Sequence, residues 1–128
     1  MSPAIPHSRP AIGEAEARAV YEIVRSGQLA QGGEVEKFEK EMAVHAGRRY
    51  GVAVSSGTAA LHLGLLALGV GEGQQVVVPS YVCTALLHAV WGTGAQPVVC
   101  DSDPHTGNID PEAARGALSS DTAAIIVP

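Results

Sequence analysis

Cysteine is scarce in this chain: Cys83 and Cys100 are the only two in 128 residues. Two thiols at this length make no disulfide framework, and no third or fourth cysteine stands at zinc-finger spacing. The five histidines, His7, His45, His62, His88 and His105, are scattered without an HExxH-type pair, so no metal site is expected. Basic residues are few as well. Lys and Arg total 8 against 13 acids, a net charge of −5 with no basic run beyond Arg48-Arg49, which excludes an electrostatic footprint for nucleic acid. The amino terminus, MSPAIPHSRP, has no apolar h-region and is read as no signal peptide; with reduced thiols this suggests the cytoplasm. Charged residues make up only 16% of the chain, which hints at burial against something outside it.

Long uninterrupted apolar helices are also missing. No Asp, Glu, Lys or Arg occurs in 50–71 or in 73–100, but Ser55-Ser56-Gly57-Thr58 breaks the first run and Pro79-Ser80 the second. Neither can form a membrane span. They read as buried strands and helices of an α/β core.

What is present alternates. Residues 13–26 form an amphipathic helix, with Ala17, Val20, Tyr21 and Val24 at helical spacing and Gly27 as its stop. A loop 28–33 leads to a second helix, 34–46, expected to turn Val35, Phe38, Met42 and Val44 or His45 toward a core. Then the period changes. Residues 50–54 are expected to form a short strand, and 58–68, apolar nearly all round, a buried helix. Gln75 to Val78 is β-branched and continuous, as a strand covered on both faces should be. Residues 84–91 read as a helix, 97–100 as a strand, and 123–127 as a last strand. Between these, Asp110-Pro111-Glu112 offers an N-cap, a proline at the first helical position and an early acid, for a helix reaching about Leu118. Four strands interleaved with helices predict a three-layer α/β architecture: a mainly parallel sheet with helices on both faces. Residues 1–49 are expected to be a helical entry segment and 50–128 the start of the sheet. A buried strand at the end, with no helix after it, suggests a piece of a larger domain.

Chemistry is expected where 50–54 gives way to the helix at Thr58. A helix N-terminus at the carboxyl end of a strand offers unpaired backbone amides and partial positive charge. Gly57 lets a backbone approach a phosphate, and the hydroxyls of Ser55, Ser56 and Thr58 add donors: a phosphate cup. The turn is neither GxxxxGK[ST] nor GxGxxG, which counts against a P-loop and a dinucleotide fold. Taken alone it is more often a plain helix cap. Asp101 and Asp103 have turn chemistry as their ordinary role, and His62 and His88 that of core histidines.

The run SSGTAALHLGLLALGVGEGQQVVVPSYVCTALLHAVWGTGAQPVVCDSDPHTGNIDPEA resembles the DegT/DnrJ/EryC1/StrS family of sugar aminotransferases. The stretches IPHSRPAIGEAE, SGQLAQGGEVEKFEKEMA and HAGRRYGVAVSSGTAAL fit in the same register, so the resemblance covers essentially the whole chain. It implies the amino-terminal part of the large domain of a fold-type I enzyme dependent on pyridoxal 5′-phosphate (PLP). Such an enzyme moves an amino group, usually from glutamate, to a nucleotide-linked keto sugar, and works as a homodimer. By resemblance Gly57 and Thr58, with Ser56 adjacent, hold the PLP phosphate. Cys83 stands where the family often has an aromatic ring over the pyridine; a thiol touches a ring face without stacking on it. Tyr81 does not match that position. The family's Schiff-base lysine and the aspartate facing the pyridine nitrogen fall beyond residue 128, leaving no catalytic residue in the chain, and Lys37 and Lys40 on a surface helix do not replace the lysine. The 128 residues alone are therefore expected to be inactive. A PLP-dependent sugar dehydratase with histidine in place of lysine, a regulatory or binding module on this scaffold, and a plain nucleotide-binding domain are the alternatives.

Overall fold

A computed structural model describes Ile5, Pro6 and residues 8–128; His7 and the first four residues of the amino-terminal stretch read above lie outside the described residues. The chain divides into two compact units, Met1–Ala53 and Val54–Pro128.

The first unit holds α1 (Glu14–Ser26) and α2 (Gly33–His45). The Glu16 carboxylate reaches back to accept the Gly13 N–H at 2.7 Å, satisfying one of the donors a helix start leaves free. Gly27, at φ 74°, closes α1 in the left-handed conformation that a side chain would resist. α1 buries no residue and α2 only Ala43. The apolar stripe of α2 therefore departs from expectation: Val35 is half-buried, but Phe38 is 54% exposed and Met42 and Val44 are exposed too. Among the described residues the unit contains no sheet, so no sheet layer within it covers that stripe.

Residues 50–54 are a second correction. They run extended but belong to no strand, and Tyr50 and Val52 stay exposed. A strand exists only through a ladder partner, and among the described residues this segment has none. Its Ala53 amide is instead taken by the Glu39 side chain of α2, at 2.8 Å.

The second unit is the expected layered α/β structure. Its elements are α3 (Gly57–Ala67), β1 (Gln75–Pro79), α4 (Ala85–Trp91), β2 (Gln96–Cys100), α5 (Pro111–Gly116) and β3 (Thr122–Ile125). The three strands are parallel in the order β2-β1-β3, so β1 is central. Val76, Val77 and Val78 are 0% exposed, because a central parallel strand is covered on both faces. Alternation sends them opposite ways. Val76 and Val78 join Leu65 of α3 and Leu86 and Val90 of α4, while Val77 joins Cys100 and Ala114 of α5. Each buried valine contributes roughly 1.5–3 kcal/mol relative to exposure. Helices thus lie on both faces. The shifts at the edges are small: the helix after Asp110 ends at Gly116 and the last strand at Ile125. α3 is less buried than its composition suggests. Only Leu65 is fully covered, and Leu63, Leu66 and the C-cap Leu68 are exposed.

Candidate functional site

α3 begins at the turn Ser55-Ser56-Gly57-Thr58. Ser56 is extended (φ −163°, ψ 161°), and its Oγ accepts the Ala59 N–H at 3.1 Å while its carbonyl accepts the Ala60 N–H at 3.0 Å. A helix start leaves four amides unpaired. Here Ala59 and Ala60 are satisfied by Ser56, and among the described residues no acceptor meets the amides of Gly57 and Thr58. No acid occupies the first turn of α3, in contrast to α1 and α2, which each have two. The partial positive charge of the helix end therefore stays uncompensated. Gly57 is exposed, and a Cβ built on it meets nothing within 4 Å. Ser55 and Ser56 are exposed and Thr58 is half-buried. Two free amides, nearby hydroxyls and no competing carboxylate are the features from which an anion-binding helix start is built.

Gly71, just past α3, lies beside the Thr93 carbonyl ahead of β2 (a Cβ there would be 3.8 Å from it), so α3 ends toward the amino ends of the strands and starts toward their carboxyl ends. Cys83 lies on the same side, in the loop between β1 and α4. It is exposed, and its carbonyl accepts the Leu86 N–H. The turn and Cys83 thus share one end of the sheet without touching through any hydrogen bond among the described residues. Tyr81 is engaged elsewhere. Its amide donates to Ser102 Oγ at 3.2 Å, and its ring lies so close to Gly107 that a Cβ there would sit 3.4 Å from it.

The remaining candidates take structural roles. Asp103 organises the loop after β2 by accepting from the His105 amide (2.8 Å) and the Thr106 hydroxyl (3.1 Å). That loop and Tyr81 line an open cleft of about 520 Å³. His62 is half-buried against Gly92, and His88 tilts against Trp91 at 5.9 Å between ring centres. Cys100 is buried beneath α5, and burial, with Asp101 adding a little, pushes its thiol up. Lys37 and Lys40 pair with Glu34 and Glu36 on the surface of α2. The Glu34 hydrogen bond holds Lys37 above its ordinary range, hence protonated and a poor nucleophile. Among the described residues no three His, Cys, Asp or Glu side chains converge as metal ligands, and no helix is long and apolar enough to cross a membrane. Within the first unit the sequence reading missed Glu39, whose hydrogen-bond partner Ala53 lies 14 positions away.

Fold and site together define an α/β domain with a serine-capped helix start that carries two unpaired amides. The chain belongs to the DegT/DnrJ/EryC1/StrS aminotransferase family, whose model matches residues 10–128. It is 40% identical over 122 residues to the spore coat polysaccharide biosynthesis protein SpsC of Bacillus subtilis, covering 95% of this chain and 31% of SpsC. In structure it is similar to an aminotransferase from Psychrobacter cryohalolentis (TM-score 0.86, 37% identity, 95% of this chain and 32% of that one). It is similar also to Spr1654 of Streptococcus pneumoniae, assigned as a sugar aminotransferase, in its PLP form (TM-score 0.88, 34% identity, 94% and 31%). The chain thus spans about a third of the length of these relatives.

Proposed function

We propose that the chain is the amino-terminal part of a PLP-dependent aminotransferase that acts on a nucleotide-linked keto sugar, with glutamate as amino donor, in a cytoplasmic homodimer. The observation that supports this reading is the pair of unpaired amides at Gly57 and Thr58, behind a serine cap and free of any acid. PLP supplies the electron sink for transamination when bound. This chain's part would be to anchor it: the Gly57 and Thr58 amides and the Ser56 and Thr58 hydroxyls would hold the phosphate, and the α3 dipole would favour its negative charge. Cys83, at the same end of the sheet, would face the ring with a small polarizable atom in place of a flat one. The chain's own lysines, exposed and ion-paired, take no part, so the 128 residues alone hold the cofactor's phosphate without turnover.

The test is transamination by the complete protein. With glutamate and a nucleotide-linked keto sugar, it should form the amino sugar and 2-oxoglutarate in equal amounts, and residues 1–128 alone should form neither. Loss of water from the sugar without nitrogen transfer would instead favour a dehydratase and sink the proposal.

A further inference from the structure

Within the second unit, the loops that follow β1 and β2 enclose the cleft of about 520 Å³ at the carboxyl ends of these strands. Open α/β sheets collect ligands at that end, and the volume falls in the range of small-molecule sites. Hydrogen bonds tie down both walls. The Ser80 N–H donates to the Cys100 carbonyl at 2.8 Å and the Tyr81 N–H to Ser102 Oγ at 3.2 Å, which joins the first loop to the second. An antiparallel bridge between Ser102 and Ile109 closes the second loop, and the Asp103 N–H donates to the Asn108 carbonyl at 2.8 Å. A cleft held in this way loses little freedom when a ligand enters.

The lining narrows the chemistry of that ligand. Tyr81 is 78% exposed, and its ring rests beside Gly107, where a Cβ would come 3.4 Å from Cδ1 and 3.6 Å from Cε1. Only a bare backbone at 107 lets the ring lie there undisturbed. No Lys or Arg lines the cleft, and both Asp103 carboxylate oxygens are engaged, one by the His105 amide and one by the Thr106 hydroxyl. What remains is aromatic surface with the neutral hydroxyls of Ser80 and Tyr81, and nothing built to hold a phosphate. A flat, uncharged heterocycle suits such a lining, because aromatic rings stack offset on one another.

We propose that this cleft receives the nucleoside end of the nucleotide-linked substrate, its base stacked on Tyr81. The proposal rests on the function proposed above and deepens it. Tyr81 stands two residues before Cys83, within about 7 Å of it along the backbone. A nucleotide-linked sugar whose keto carbon lies near Cys83 is long enough to lay its base in the cleft.

The experiment compares wild type, Tyr81→Phe and Tyr81→Ala in the complete, PLP-loaded protein. Free uridine, thymidine, cytidine, adenosine and guanosine, which carry no phosphate, are the probes for saturation-transfer NMR. At least one should show transfer to its base protons, and Tyr81→Ala should weaken that binding roughly five- to a hundredfold, the range of one base stacked on an aromatic side chain. Tyr81→Phe keeps the ring and should bind as the wild type does. In transamination, Tyr81→Ala should raise KM for the nucleotide-linked sugar and leave kcat and the KM for glutamate unchanged, the pattern of lost uniform binding. No transfer to any nucleoside overturns the proposal, as does equal binding by wild type and Tyr81→Ala. If the wild type transaminates and Tyr81→Ala leaves the sugar KM unchanged, the proposal is overturned while the function stands. If the wild type does not transaminate at all, the function proposed above fails, and the nucleoside measurements alone decide the cleft.

Discussion

Ser56 does two things that pull apart under mutation. Its side chain stabilises α3 by accepting the Ala59 amide, and the two amides that follow it, of Gly57 and Thr58, stay without an acceptor among the described residues. Ser56→Ala should cost about 1 kcal/mol of stability in urea unfolding, the usual value of an N-cap. The two cysteines differ as sharply. Cys83 is exposed, whereas Cys100 lies under α5 with its thiol pushed up by burial. Alkylation of the native chain near pH 8 should modify Cys83 and spare Cys100 until the protein unfolds, as peptide mass mapping would show. Labelling of Cys100 in the folded chain would contradict its placement in the core.

At the level of elements, α1 shows how a helix without a buried residue is held. The Gly13 amide, through its bond to Glu16, keeps that carboxyl below its ordinary range. A carboxyl with a lowered folded pKa adds stability that is present above the ordinary Glu range and is lost as pH falls through the lowered value. Helix content of the first unit, followed by circular dichroism, should therefore drop on acidification below pH about 4.3, and Glu16→Gln should flatten that drop. Most elements were legible from the residues because their local signals agree. Asp110-Pro111-Glu112 names a helix start, and indeed Asp110 caps the Glu112 and Ala113 amides. Val76-Val77-Val78 names a doubly covered strand. The segment 50–54 was misread because its apolar composition suits a strand, while strand formation depends on a partner that composition does not reveal. Gly51, inside that run, was the one local mark of a close backbone approach. Phe38 and Met42 were misread for a similar reason: helical spacing shows which side of α2 is apolar, not whether anything within its unit covers it.

For the molecule as a whole, the second unit contains both core clusters and the sheet, and the first contributes helices of little burial. The candidate site was only half legible. Serine and glycine between strand and helix could be a cap or a receptor, and their spacing cannot choose. The structure adds that Ser56 caps the Ala59 and Ala60 amides and that those of Gly57 and Thr58 have no acceptor among the described residues, which is compatible with either role. Gly57→Asp separates the two roles most directly. An acid at the first position of α3 complements the helix dipole and should keep or raise stability, by up to about 1 kcal/mol. The same charge would face an incoming phosphate. In the complete protein, PLP affinity of Gly57→Asp should fall at least about tenfold, by charge repulsion at close range, while affinity for pyridoxal, which has no phosphate, is unchanged. If Gly57→Asp binds PLP as tightly as the wild type, the turn is a helix cap and nothing more.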